Sequence, residues 1–80
     1  MGFAKTEAEI GGRASRYLKA ELKRADVTYE ELAERLKNHG LPTETKDSIK
    51  AKLLRGTFAA SFFFAVLAAL EIEGVRLEDL

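Results

Sequence analysis

The stretch FAASFFFAVLAAL, residues 58–70, most limits how this chain folds. It is thirteen residues long and uncharged, whereas a helix that crosses a membrane needs about twenty apolar residues. We therefore expect no membrane association and assign the stretch to a core helix. The chain has 80 residues and no cysteine, so a single small domain must be stabilised by apolar burial without disulfide bonds.

The composition argues against catalysis and against a bound cofactor. His39 is the single histidine, and the usual zinc-binding sets cannot be assembled without cysteine or a second histidine. No serine lies in a nucleophile-elbow motif, and Gly11-Gly12 lacks the spacing of a phosphate-binding loop. We expect a protein that is not an enzyme and has no cofactor. The lack of cysteine, and of an apolar leader in MGFAKTEAEIGG, fits the cytoplasm.

The first helix is predicted over residues 13–25. Four residues recur on one face of this helix: Ala14, Leu18, Leu22 and Ala25. The pair Gly11-Gly12 disfavours a helix, because each glycine costs about 1 kcal/mol relative to alanine. Residues 1–12 are therefore expected to form a flexible N-terminal arm, with a short helix over 7–10 as an alternative. Residues 13–80 are expected to form the helical domain.

The sequence marks the boundaries of three further helices. Thr28 and Glu31 form a T-x-x-E capping box at the start of the second helix, and Gly40 is expected as the left-handed residue that ends it. Gly56 ends the third helix. The candidate caps are Thr43 or Thr45 for the third helix and Thr57 or Ser61 for the fourth. Because no pattern of period two occurs, the predicted fold class is all-α, a bundle of four to five helices that closes with residues 75–80.

The third helix is predicted to bury Ile49 and Leu53, with Leu54 at one edge of the buried seam. The core of the whole domain is expected to contain six residues: Leu32, Leu36, Ile49, Leu53, Val66 and Leu67. At 100° per residue, the opposite arc contains Asp47, Ser48, Ala51, Lys52 and Arg55, with Lys46 and Lys50 at its margin. The whole chain has thirteen basic and thirteen acidic side chains, so its neutral total argues against nonspecific polyanion binding. The local excess of positive charge on the third helix, and on residues 13–24, is therefore the more informative feature.

The order of these features resembles the lambda-repressor-like helix-turn-helix superfamily, of the Cro and xenobiotic-response-element type. The sequence LKAELKRADVTYEELAERL, residues 18–36, is similar to that family's first two helices and their turn. The pair Arg55-Gly56 is similar to the end of its third helix. AVLAAL and VRLEDL, residues 65–70 and 75–80, are similar to its fourth helix and closing turn. This resemblance implies a transcriptional regulator that binds double-stranded DNA.

Two departures from that family affect the candidate interface. Twelve residues, 37–48, separate Leu36 from Ile49, whereas the usual turn of a helix-turn-helix has about three or four residues. Tyr29 stands where the family often has a glutamine that contacts a phosphate. The chain is also similar to small bacterial domains of unknown function with the same long connection. That likeness implies the fold and leaves the function open.

The resemblance points to a DNA-binding surface on the third helix. Lysine and arginine neutralise phosphates and contact guanine in the major groove. The candidate DNA-binding residues are Thr45, Lys46, Ser48, Lys50, Lys52 and Arg55. The alternative is a solvated helix face that keeps a small protein soluble. His39, before Gly40, is expected to cap the end of the second helix.

Three consecutive aromatic residues, Phe62, Phe63 and Phe64, cannot all face one core, because neighbouring helical residues diverge by 100°. At least one is expected near the surface. One interpretation is a partner interface, including a homodimer. The other is that Phe3 and Ile10 of the arm cover it. The alternative function is accordingly a protein-interaction or dimerisation module that uses residues 58–70.

Overall fold

The computed structural model describes residues 3–80, which form four α-helices and two short 3-10 turns. The helices are α1 (Glu7–Ala25), α2 (Tyr29–Leu36), α3 (Lys46–Arg55) and α4 (Ala60–Ala69), and the turns are Lys37–His39 and Leu77–Asp79. The predicted all-α class is confirmed for these residues. The radius of gyration is 12.2 Å, close to the value of about 12 Å expected for a compact chain of this length.

The start of α2 has the predicted capping box. The hydroxyl of Thr28 accepts a hydrogen bond from the backbone N–H of Glu31, and the Glu31 carboxylate accepts one from the backbone N–H of Thr28, both 3.1 Å long. The Thr28 hydroxyl also donates to Oε1 of Glu31 over 3.1 Å. The hydrogen bonds that the Glu31 carboxylate accepts from the Thr28 backbone and side chain lower its pKa. Local sequence alone therefore fixes where α2 begins.

The long connection between α2 and α3 is ordered by hydrogen bonds at both of its ends. At the first end the Lys37–His39 turn continues α2, and Gly40 ends it with a φ of 86°. The N–H of Leu41 donates to the carbonyl of Leu36 over 3.0 Å, as in a Schellman motif. At the second end Thr45, one of the two predicted caps, starts α3.

The prediction of a flexible arm over residues 1–12 is wrong for residues 7–12, which are the first part of α1. Met1 and Gly2 lie outside the described residues. One local and one tertiary contact offset the low helix propensity of the two glycines. The local contact is the cap at Thr6, whose hydroxyl accepts a hydrogen bond from the backbone N–H of Glu9 over 3.1 Å. Gly11 lies against the backbone of Gly56, and a Cβ on Gly11 would be 2.0 Å from the Gly56 carbonyl oxygen. The absence of a side chain at Gly11 therefore lets α1 pack closely against the end of α3.

The buried face of α1 differs in part from the predicted one. Leu18 and Leu22 are buried as expected, whereas Ala25 is exposed at the C-terminal end of the helix. Ser15 is buried instead, because its hydroxyl donates a hydrogen bond to the carbonyl of Leu53 in α3. A buried hydroxyl with a partner of this kind is tolerated in a core, and it joins α1 to α3.

The core contains residues from all four helices. Of six predicted core residues, five are buried and Leu67 is half-buried against them. The five buried residues are Leu32, Leu36, Ile49, Leu53 and Val66. Helix α1 packs on α3 and α4, and α2 packs on the same two helices. Helices α2 and α3 therefore share one core, to which α2 contributes Leu32 and Leu36 and α3 contributes Ile49 and Leu53.

The fourth helix starts without either predicted cap. Its N-cap residue is Ala59, and no side chain forms a capping hydrogen bond there. Apolar burial therefore holds this end in place. Phe62 is buried, Phe63 is half-buried and Phe64 is 63% exposed, which confirms that at least one of the three lies at the surface. In the described part of the chain, no helix is long and apolar enough to cross a membrane.

Candidate nucleic-acid interface

The exposed face of α3 is rotated relative to the predicted one. Its exposed residues are Lys46, Asp47, Lys50, Leu54 and Arg55. Ser48, Ala51 and Lys52, which were predicted on the exposed arc, are half-buried. The predicted arc is therefore correct for Asp47 and Arg55 and wrong for the other three residues. Lys46 and Lys50, predicted at the margin, lie within the exposed face.

Glu44, which lies in the connection before α3, covers part of the predicted arc by contacting Ser48 and Lys52. The two carboxylate oxygens of Glu44 are 3.1 and 2.9 Å from Nζ of Lys52, and Oγ of Ser48 donates to Glu44 Oε1 over 2.6 Å. The side chains of Glu44 and Lys52 are 11% and 27% exposed. One carboxylate thus holds two of the predicted DNA-binding residues against the domain.

The electrostatics of Glu44 follow from these contacts. Desolvation alone would raise the pKa of Glu44, but the hydrogen bonds from Ser48 and Lys52 and the charge of Lys52 lower it overall. Nζ of Lys52 also lies 5.5 Å from the ring centroid of Phe62 in α4, within the range of a cation–π contact. The charge of Lys52 therefore compensates the charge of Glu44, and its ammonium group also contacts Phe62 of the core.

The hydroxyls of Thr45 and Ser48 form the cap of α3. Oγ1 of Thr45 accepts from the backbone N–H of Ser48 over 3.1 Å, and Oγ of Ser48 accepts from the backbone N–H of Thr45 over 2.8 Å. Thr45 and Ser48 thus fix where α3 begins and how it is directed. Their polar atoms are already hydrogen-bonded, so a DNA contact by either hydroxyl would compete with the cap.

Three cations on the exposed face of α3 have no acidic partner among residues 3–80: Lys46, Lys50 and Arg55. The one hydrogen bond from Arg55 within this range is from Nε to the hydroxyl of Thr57, at 3.2 Å. Asp47 is the one acid on this face. Because its neighbours on the face are three cations, the net local charge is positive. We call the five exposed residues of this helix the α3 outer face. They are Lys46, Asp47, Lys50, Leu54 and Arg55.

The predicted basic side of α1 is only partly exposed. Arg13 is half-buried: its guanidinium donates to backbone oxygens of Phe3 and Leu80 and lies 4.4 Å from the centroid of the Phe3 ring. Arg24 pairs with Glu21 over 2.6 Å. The cations of this side that remain exposed and outside any ion pair in residues 3–80 are Arg16, Lys19 and Lys23.

An open cleft of about 900 Å³ lies between α1 and the C-terminal segment. Its charged residues are Arg13, Arg16, Glu21, Arg24 and Asp79. Because the cleft mixes both signs of charge, it presents no uniform field to an ionic ligand. Burial raises the pKa of Tyr17, which also lines it, and the charges of Glu21 and Asp79 raise it further. The α3 outer face is therefore a stronger candidate than this cleft for binding a polyanion.

The profile of one protein family matches residues 11–75, a range that contains α2, α3, α4 and most of α1. The chain belongs to the DUF6471 family. Its description is a domain of unknown function. A comparison with curated proteins finds no match, and neither does a comparison with solved structures. For this DUF6471 domain, function must therefore be argued from the geometry of its own residues.

Two more predicted features of the DUF6471 domain have clear positions. His39 is exposed, and its Nδ1 lies 2.9 Å from the carbonyl oxygen of Arg35, at the end of α2 where a capping contact was predicted. Tyr29 is half-buried and packs against the core. The prediction that Leu54 lies at the edge of the buried seam of α3 is wrong, because its side chain is 77% exposed. Leu54 was not predicted as a site residue, since a leucine in a helical pattern is assigned to the core by default.

Proposed function

We propose that this domain binds double-stranded DNA as a non-catalytic transcriptional regulator of the cytoplasm, with a lambda-repressor-like helix-turn-helix formed by α2 and α3. The observation that carries the proposal is the α3 outer face. It presents Lys46, Lys50 and Arg55 to solvent on a helix whose other side packs in the core with α2. A helix with this arrangement is suited to lie in a major groove about 12 Å wide.

The long connection is compatible with this function because it leaves both helices intact. Gly40 ends the first of them and Thr45 starts the second, while Ile49 and Leu53 still pack in one core with Leu32. Through Glu44 the connection contacts α3 at Ser48 and Lys52. Neither residue belongs to the α3 outer face, so the connection leaves that face exposed to solvent.

The position of the cations indicates which contacts they would make. Lysine and arginine on an exposed helix face neutralise phosphates and release counterions, and arginine or lysine also binds O6 and N7 of guanine. Lys46 and Lys50 are one helical turn apart, so both point to the same side. The polyanion would thus meet two or three cations of α3, whereas Lys52 stays with Glu44.

A salt titration tests this proposal. Binding of the domain to a labelled mixed-sequence duplex is measured by fluorescence anisotropy between about 20 and 200 mM salt. Two to three phosphate contacts predict a decline of log K with log salt of slope roughly −2 to −3. A lack of binding at the lowest salt concentration would contradict the proposal that this domain binds DNA.

A second candidate function is supported by Phe64, which is 63% exposed on α4. Ile10 is itself exposed and Phe3 contacts Arg13, so within residues 3–80 the N-terminal segment does not cover Phe64. A groove of about 480 Å³ beside Phe64 is lined largely by apolar residues, among them Phe63, Leu67 and Ile72. The occupant that we assign to this surface is a second copy of the chain, which would make a homodimer.

Sedimentation at micromolar concentration tests the second candidate. The expected result is a dimer that Phe64→Glu converts to a monomer. Leu54→Glu is the matched control, because it places the same charge on an apolar residue outside α4 that is somewhat more exposed than Phe64, and it should leave the dimer unchanged. A wild-type monomer at all accessible concentrations would reject this function.

A further inference from the structure

Leu54 is the most exposed large apolar side chain of the described residues, at 77%. It lies on the α3 outer face, four residues after Lys50 and next to Arg55. No residue between 3 and 80 covers it. Single exposed leucines are common on protein surfaces, so its exposure alone decides nothing. What distinguishes Leu54 is its position among the cations that form the proposed DNA-binding face.

The spacing along α3 places Leu54 in register with these cations. Lys46, Lys50 and Leu54 occupy successive turns of one side of the helix, with a rise of about 6 Å between neighbours. If Lys46 and Lys50 hold the helix in a major groove, Leu54 lies about one turn beyond Lys50 and meets a base pair further along that groove.

The floor of the major groove offers one apolar group to such a side chain, the C5-methyl of thymine. An anionic partner would compensate the charges of Lys50 and Arg55. An apolar group on the same partner would contact Leu54, which lies between them. We propose that Leu54 contacts a thymine methyl and makes binding selective for thymine at that position. This inference rests on the proposed function and specifies which base the face selects.

Asp47 is the one acid of the α3 outer face, and it lowers the net positive charge of that face. In this proposal the three cations supply the affinity, and Leu54 supplies the discrimination tested below.

The experiment compares two duplexes that differ in the methyl group alone. The probes are a 20-base-pair alternating dA·dT duplex and the same duplex with deoxyuridine in place of every thymidine. Affinity for each is measured at low salt for wild type and for Leu54→Ala. The control is Ile10→Ala, which truncates an exposed aliphatic side chain on α1. Thermal unfolding checks that each variant remains folded.

Wild type is expected to bind the thymidine duplex about fourfold more tightly than the deoxyuridine duplex, the factor that one buried methyl provides. Leu54→Ala should reduce this ratio to about one, and Ile10→Ala should leave it unchanged. Because uracil also alters duplex shape, a ratio that persists in Leu54→Ala would overturn the inference. An equal affinity of wild type for both duplexes would overturn it as well, with DNA binding intact. Binding of wild type to neither duplex would reject the proposed function itself.

Discussion

Lys52 and Glu44 form a half-buried ion pair, with Nζ of Lys52 2.9 and 3.1 Å from the two carboxylate oxygens of Glu44. This pair joins the long connection to α3 and keeps Lys52 out of the exposed cationic face, which is formed by Lys46, Lys50 and Arg55.

The first prediction concerns the strength of this pair. Glu44→Gln keeps the shape of the side chain and removes its charge, so hydrogen bonds from Lys52 and Ser48 lose their ionic acceptor. We expect a loss of about 1–2 kcal/mol in the free energy of unfolding, measured by urea denaturation at pH 7. Glu34→Gln is the matched control, since its exposed pair with Lys37 should contribute less than about 0.5 kcal/mol. Equal losses in both variants would show that the connection is not held by Glu44.

The second prediction is the pH dependence of the same contribution. The pKa of Glu44 is lower in the folded chain than its ordinary value of 4.5, so the unfolded chain binds more protons in the interval between them. By linkage, the stabilisation by Glu44 is complete above the ordinary value and is lost as pH falls through the folded pKa. The difference in unfolding free energy between wild type and Glu44→Gln should therefore shrink from pH 7 to pH 3. A difference that stays constant over this range would contradict the assignment.

The third prediction separates two adjacent glycines of α1. Gly11→Ala should destabilise the domain by about 1–3 kcal/mol, because its Cβ would be 2.0 Å from the Gly56 carbonyl oxygen. Gly12→Ala should stabilise it by up to about 1 kcal/mol, since the new Cβ meets open space and alanine favours the helix. Thermal denaturation of both variants checks this. Stabilisation by both substitutions would mean that α1 does not pack closely on Gly56.

The fourth prediction tests the core shared by α2 and α3. Leu36 is fully buried, so Leu36→Ala should lower the free energy of unfolding by about 2–5 kcal/mol. Leu54→Ala makes the same chemical change on the exposed side of α3 and should cost less than about 0.5 kcal/mol. Chemical denaturation of the two variants provides the measurement. A loss below 0.5 kcal/mol for Leu36→Ala would remove it from the core.

The parts of the fold that local sequence encodes could be predicted. The Thr28–Glu31 capping box, the end of α2 at Gly40 and the buried pair Ile49–Leu53 all depend on residues within a few positions of one another. Interactions within one or two turns of a helix leave a periodic or capping pattern in the sequence. The start of α2 and the buried pair of α3 follow from such patterns.

The features that depend on distant residues could not be predicted from the same patterns. The close contact of Gly11 with Gly56 and the hydrogen bond from Ser15 to the Leu53 carbonyl both join residues that are far apart in the chain. The inward turn of Lys52 depends on where the connection places Glu44. For this reason the candidate site was predicted as a set of basic residues on α3, while the face they share was predicted with the wrong rotation.

The salt dependence of duplex binding by lysine variants tests the central claim most directly. Lys50→Ala removes an unpaired cation from the α3 outer face, and Lys52→Ala removes the cation that Glu44 holds. Lys37→Ala is the control for loss of a charge outside that face. We expect Lys50→Ala to reduce the slope of log K against log salt by about one, with the slope unchanged in Lys52→Ala and Lys37→Ala. The account is contradicted if wild type shows no salt-dependent binding, or if Lys37→Ala reduces the slope as much as Lys50→Ala.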